Sequence, residues 1–239
     1  MTRHLVLATI VAVWMTAYGA EVHAATPLGG DDTGFLPPDK DTLKYESTVG
    51  RNLAKFQNCV LKCHAKRAQG KLTSDTSEGG CEEGCQSKYD LAHNKLVVPA
   101  PAAACLGPTN RTTVRSIWES ILDGNSGTIY CDGTTPVGGD DSGFIAPDAK
   151  TFKCESKFSK NAGTLLSCTS QCHAKRAAQK LADDTAEDGC EGTCMTKYTT
   201  ANSKLVDCPP CVNGTTTTSF GTLLTTQSDS NNGLVYCGQ

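Results

Sequence analysis

Aromatic residues are scarce in this chain: two Trp, six Tyr and six Phe make up 6% of 239 residues. That is too little bulk for a deep apolar interior, so something other than burial must carry part of the stability. A basic excess is missing too, because 22 Lys and Arg face 25 Asp and Glu for a net charge of −3. This excludes a surface built to grip nucleic-acid phosphates or an anionic membrane. Histidine is rare beyond residue 24, limited to His64, His93 and His173. No Ser, His and Asp arrangement accompanies these histidines, and in Gly139-Asp140-Asp141-Ser142-Gly143 the serine falls one residue too late for a serine-protease motif. With all cysteines oxidised no nucleophilic thiol remains, so the chain reads as a non-enzyme.

Long hydrophobic runs are also missing after the first 24 residues, and no transmembrane segment is expected downstream of them. Those 24 residues carry a short basic start (Arg3, His4), an apolar stretch from Leu5 to Ala17 and the small-residue pattern Val22-His23-Ala24. They read as a secretory signal peptide at 1–24, which places the chain in the periplasm or outside the cell. What the chain does have is cysteine, 14 in all, every one after residue 24. An even number in an oxidising compartment predicts seven disulfides.

The cysteines fall in a pattern written twice. C-x3-C, seventeen residues and C-x3-C occur at Cys59, Cys63, Cys81 and Cys85, then at Cys168, Cys172, Cys190 and Cys194. The surrounding sequence repeats with it: residues 27–98 align without a gap on 136–207 at an offset of 109, and the offset becomes 106 for Cys105 on Cys211 and Tyr130-Cys131 on Tyr236-Cys237. Two copies of about a hundred residues predict two tandem domains, 25–133 and 134–239. Within the first, Val49, Leu53, Phe56, Val60 and Cys63 recur at helical steps, which predicts a helix over about 42–69. A second helix is expected from Asp75, with Glu78 reaching back to cap it, and Pro99 ends it. Val114, Ile117, Trp118, Ile121 and Leu122 suggest a third, shorter helix before a turn at Gly124 to Gly127. The fold class expected is all-α, two disulfide-stapled domains that each hold an antiparallel helical hairpin plus that third helix.

Helical spacing also predicts the pairing. In an antiparallel hairpin the outer cysteines face each other, giving Cys59 with Cys85, Cys63 with Cys81, Cys168 with Cys194 and Cys172 with Cys190; crossing them would displace each partner by about 6 Å, a helical turn. Cys105 is then expected to pair with Cys131, and Cys211 with Cys237, each closing the loop that carries the third helix. Cys154 and Cys208, both absent from the first copy, are left as a pair.

Three motifs suggest a ligand. Cys59 to His64 and Cys168 to His173 both read C-x3-C-H, one residue longer than the haem-attachment motif, which makes His64 and His173 candidate haem ligands. The same cysteine quartets have the number of thiolates for zinc, although in an exported chain bridges take precedence. Gly29-Gly30-Asp31-Asp32 and Gly138-Gly139-Asp140-Asp141 collect carboxylates that suit calcium, with Asp31, Asp32, Asp140 and Asp141 as candidate ligands. They lack the alternating spacing of a known calcium loop, and local turns to their own backbone account for them equally. Lys66-Arg67 and Lys175-Arg176 read as solvated helix faces. No cofactor is required by any of these patterns.

Each quartet of cysteines resembles the α-hairpinins, small secreted proteins with two helices joined by nested bridges between C-x3-C pairs. The likeness covers Cys59 to Cys85 and Cys168 to Cys194, and it implies a helical hairpin and, among that family's activities, protease inhibition, with Lys71 or Lys180 in the interhelical loops as residues to test. Over its whole length, including the G-G-D-D-[ST]-G-F opening of each copy, the chain is similar to uncharacterised exported cysteine-rich bacterial proteins. The reading is therefore an exported binding or structural protein with a protein or cell-surface partner, with a haem carrier or an α-hairpinin-type inhibitor as alternatives.

Overall fold

The computed structural model describes residues 25–238. The segment read as a signal peptide lies outside the described residues. The chain is mostly helical, with two small hairpins: β1 (Pro27–Gly29) and β2 (Asp32–Phe35), α1 (Lys40–Ala68), α2 (Asp75–His93), α3 (Ala100–Ala103), α4 (Pro108–Ile129), β3 (Thr135–Gly138) and β4 (Asp141–Ile145), α5 (Ala149–Ala177), α6 (Asp184–Asn202) and α7 (Gly214–Ser230), then a short 3-10 turn, Asn232–Leu234. Both hairpins are antiparallel, with Gly29 opposite Asp32 and Gly138 opposite Asp141. The long helices start where aspartate can accept the first free backbone N–H groups: Asp39 accepts from Thr42, and Asp148 from Lys150 and Thr151. They end with Lys66-Arg67 and Lys175-Arg176 in the last turn, favourable against the helix dipole.

Two local expectations change. Ser74, not Asp75, caps α2, in a reciprocal pair with Ser77, and Asp183 caps α6, so Glu78 and Glu187 are released from capping and turn inward. The third helix is not short, because α4 runs for 22 residues straight through Gly124 and Gly127. Gly127 allows this by its lack of a side chain: an added Cβ would stand 3.0 Å from the backbone of Gly143 in the β3–β4 hairpin.

Helices α1 and α5 pack against each other through the centre of the molecule. Asn58 donates across this contact to the carbonyl of Gly163 and to Ser167 Oγ, at 3.1 and 3.0 Å. Gly163 admits that approach, since a Cβ there would lie 2.2 Å from Asn58 Oδ1. Val49, Phe56 and Val60 of α1 and Phe158 and Leu165 of α5 belong to the buried apolar core, which Trp118 of α4 joins.

All 14 cysteines are bonded. Cys59–Cys85, Cys63–Cys81, Cys168–Cys194 and Cys172–Cys190 nest between the paired helices, and Cys154–Cys208 closes the open end of the second hairpin. The remaining four do not pair as the spacing suggests. Cys105 bonds Cys237 and Cys131 bonds Cys211, so both bridges run between the first and second halves of the chain. The physical reason is that each half ends on the other. The Tyr236 carbonyl accepts from Phe35 N–H at 2.8 Å, and Tyr130 from Phe144 at 2.9 Å. The β1–β2 hairpin thus lies on α7 and the 3-10 turn, while β3–β4 lies on α4. Arg67 and Arg176, expected to be solvated, are buried and donate to the Val137 and Leu28 carbonyls of the crossing hairpins.

The crossed ends are also held by a buried carboxylate each. Glu46 accepts from the backbone N–H groups of Cys237 and Gly238 at 3.0 and 2.7 Å, and Glu155 from those of Cys131 and Asp132 at 3.0 and 3.2 Å. Burial pushes both carboxyls up to about 7, against the pull of those N–H groups. A carboxyl whose folded pKa lies above its unfolded one keeps its proton longer when folded, so stability falls as pH rises from about 4.5 through 7. We expect Glu46→Gln to shrink that fall by on the order of 2 kcal/mol, and Glu155→Gln to shrink it likewise. Thermal unfolding of wild type and variants from pH 4 to 8 measures the slope, which is insensitive to the constant cost of burying an amide; parallel slopes would refute the assignment.

Candidate metal centre

His64 follows Cys63 on α1, and Glu82 follows Cys81 on α2, so the Cys63–Cys81 bridge sets the two side chains at one level. Glu78 lies one turn earlier on the same face of α2. Asp123 comes from α4, and Asp141, the first residue of β4, completes the group from the hairpin that folds back on α4. Around His64 Nε2 the carboxylate oxygens stand at 3.0 Å (Glu82), 3.1 Å (Asp123), 3.2 Å (Asp141) and 3.8 Å (Glu78).

The second half builds the same group. His173 Nε2 has Glu191 at 3.0 Å, Asp229 at 3.2 Å, Asp32 at 3.3 Å and Glu187 at 3.6 Å. The positions correspond at the offset of 109, or 106 for Asp123 and Asp229. Only the hairpin ligand has changed sides: Asp141 of the second half serves His64, and Asp32 of the first half serves His173. A boundary drawn between residues 133 and 134 therefore separates Asp141 from the other four members of its own group.

These ten side chains are withdrawn from solvent, His64 being 2% exposed, Glu78 1% and Glu187 3%. Their mutual geometry is not one that hydrogen bonds can satisfy. A single ring N–H serves one acceptor well, yet four carboxylates converge on it. Among the described residues no hydrogen bond is made to Glu78 Oε1 or to either oxygen of Asp141, nor to Glu187 Oε1 or Glu191 Oε1. Glu78 also meets Asp141 directly, as Glu187 meets Asp32. Two buried carboxyls in contact require a shared proton or a cation between them. Within each of four triads, His64 with Glu78 and Glu82, His64 with Asp123 and Asp141, His173 with Glu187 and Glu191, and His173 with Asp32 and Asp229, the ligand atoms lie within 4.8 Å of one another, a spread that suits donors around one metal ion.

The electrostatics are correspondingly perturbed. Burial, with the neighbouring Asp141, pushes Glu78 up to about 9, and burial with Glu187 does the same to Asp32. Burial opposes charge on His64, but the hydrogen bonds of Asp123 and Glu82 and the charges of Asp141 and Glu78 outweigh it and hold the ring up at about 10. His173 stands at about 10 for the same reasons, through Asp229, Glu191 and Asp32.

The sequence singles out His64 and His173 for haem, and Asp31, Asp32, Asp140 and Asp141 for calcium, as separate possibilities. The structure joins both histidines with half of the aspartates: His64 meets Asp141 and His173 meets Asp32, while Asp31 and Asp140 belong to neither group. The cysteines of the C-x3-C-H motifs are spent in bridges, which leaves no sulfur for haem attachment or for zinc thiolates. Glu78, Glu82, Asp123 and their counterparts escape the sequence reading. The available signal was that these acids keep their places in both halves beside the one histidine that does so.

Comparison with protein-family models, with curated proteins and with solved structures returns no match.

Proposed function

We propose that this chain is an exported, non-enzymatic, disulfide-stapled binding protein that holds two cations, one in each histidine–carboxylate group. The observation that carries the reading is the convergence of four buried carboxylates on one imidazole nitrogen, twice, with carboxylate oxygens that no hydrogen bond satisfies. A divalent cation meets both needs, because it offsets two of the four negative charges and accepts a lone pair from each of the five side chains. The low exposure of the donor set, with every side chain at 13% or less, supports holding or carrying an ion over catalysis. Seven bridges support an oxidising compartment. Among the described residues no helix is long and apolar enough to cross a membrane.

Elemental analysis of the purified, oxidised chain should find two ions per chain. Glu82→Gln with Asp123→Asn should lower the count to one, and adding Glu191→Gln with Asp229→Asn should abolish it. Isothermal titration after chelator treatment gives the same stoichiometry independently. A wild-type chain that takes up no divalent ion, or a count unchanged by these substitutions, would overturn the proposal.

A further inference from the structure

The donor set also speaks to which cation is held, an inference that rests on the cation-binding reading above. We propose that each group selects a first-row transition-metal dication of the Mn(II), Fe(II) or Zn(II) class over Ca(II) and Mg(II), with His64 Nε2 and His173 Nε2 as direct ligands.

The ring nitrogen is one of the converging donor atoms. In both halves all four carboxylates face Nε2 within 3.8 Å, so an ion that meets the four acids also meets the ring nitrogen. Ca(II) takes about six to eight oxygens and Mg(II) retains several waters, whereas ions that accept imidazole together with carboxylate are borderline transition metals. The site offers little room for retained water, with Glu78, Asp141, Asp32 and Glu187 side chains exposed by 4% or less and Glu191 the most open of the ten at 13%. Five donors on five side chains, from two helices, a third helix and a strand, suit a compact five- or six-coordinate ion. Soft thiolate chemistry is excluded by the bridges, which leaves a mixed nitrogen and oxygen shell.

The backbone prepares the crossing ligand. Gly139 and Gly30, in the turns just before Asp141 and Asp32, have φ of +72° and +63°, and a Cβ at either would overlap the carboxyl of Asp75 or Asp184 at the start of α2 or α6. The hairpin turn is therefore seated on the helix that carries the two glutamates, and its aspartate is delivered into the group from the opposite half.

The test uses the full oxidised chain, freed of metal and then equilibrated with Mn(II) or Zn(II) in the presence of a hundredfold excess of Ca(II) or Mg(II). Two equivalents of the transition ion should remain bound. Pulsed EPR of the Mn(II)-loaded wild type should show coupling to one imidazole 14N per ion, which needs no variant. His64→Asn should cut Mn(II) or Zn(II) uptake from two to one, and His173→Asn should do so independently. Asp141→Asn should weaken the His64 site alone, and Asp32→Asn the His173 site alone. Intact mass confirming seven bridges shows that each variant has folded. Displacement by Ca(II) or Mg(II), or the absence of 14N coupling, would overturn the selectivity while leaving a cation-binding protein; failure of every ion to bind would overturn both.

Discussion

Chelation of the loaded protein should lower its unfolding temperature by roughly 15–30 °C. An ion that binds only the folded chain stabilises it by about 4 kcal/mol when present at a thousand times its dissociation constant, and there are two such groups. For a chain of this size about 1 kcal/mol corresponds to roughly 2–4 °C. The effect should be large because His64 and Asp141, like His173 and Asp32, come from opposite halves, so releasing the ion loosens the attachment of both hairpins and not only two side chains. Differential scanning calorimetry with and without chelator, at fixed pH, measures it. A chelated chain that unfolds within a degree or two of the loaded one would show that the buried carboxylates are accommodated without a cation.

Replacing Cys105 and Cys237 together by Ser should cost more than removing any bridge inside a helical hairpin. The Cys105–Cys237 bridge spans 132 residues, against 18 for Cys63–Cys81 and Cys172–Cys190. Loop-closure entropy then gives about 5 kcal/mol for the long bridge and about 3 for the short ones, with the long value reduced somewhat because the other bridges already shorten the open chain. Cys131–Cys211, spanning 80 residues, should follow at about 4.5 kcal/mol. Denaturant unfolding of the double-serine variants under non-reducing conditions gives the ranking. Proteolysis without reduction identifies the peptides that stay linked: Cys105 leaving with Cys131 instead of Cys237 would contradict the crossing.

That crossing is the part of the molecule the sequence could not display. The helices and nested bridges were legible because their determinants are local: C-x3-C places two cysteines on one helical face, and antiparallel packing decides which cysteine faces which. Cys105 and Cys131 carry no such local determinant. When two stretches of a chain read almost alike, an element bonding within its own stretch and the same element exchanged with its counterpart have identical patterns, so Cys105–Cys131 and Cys105–Cys237 are indistinguishable from spacing alone. The same ambiguity hid the two histidine–carboxylate groups. His64 drew attention through its neighbouring cysteines and Asp141 through its glycines, but nothing in either motif says that they meet across the two halves. Asp75-x-x-Glu78 has the form of a capping box, but the Ser74 and Ser77 hydroxyls accept reciprocally from the Ser77 and Ser74 N–H groups one residue earlier, so Asp75 becomes the first helical residue instead of the cap.

The first hairpin also sets an order in time. Thr33 donates to the carbonyls of Asp229 and Ser230, and Phe35 bonds Tyr236, so the earliest described residues reach their resting place only after nearly the whole polypeptide has been made. Thr33 precedes its partners by 196 and 197 residues, and contacts this distant along the chain are slow to form. Completing the fold accordingly means closing a long loop between residues 33–35 and 229–236, with Cys237, next to Tyr236, tied to Cys105.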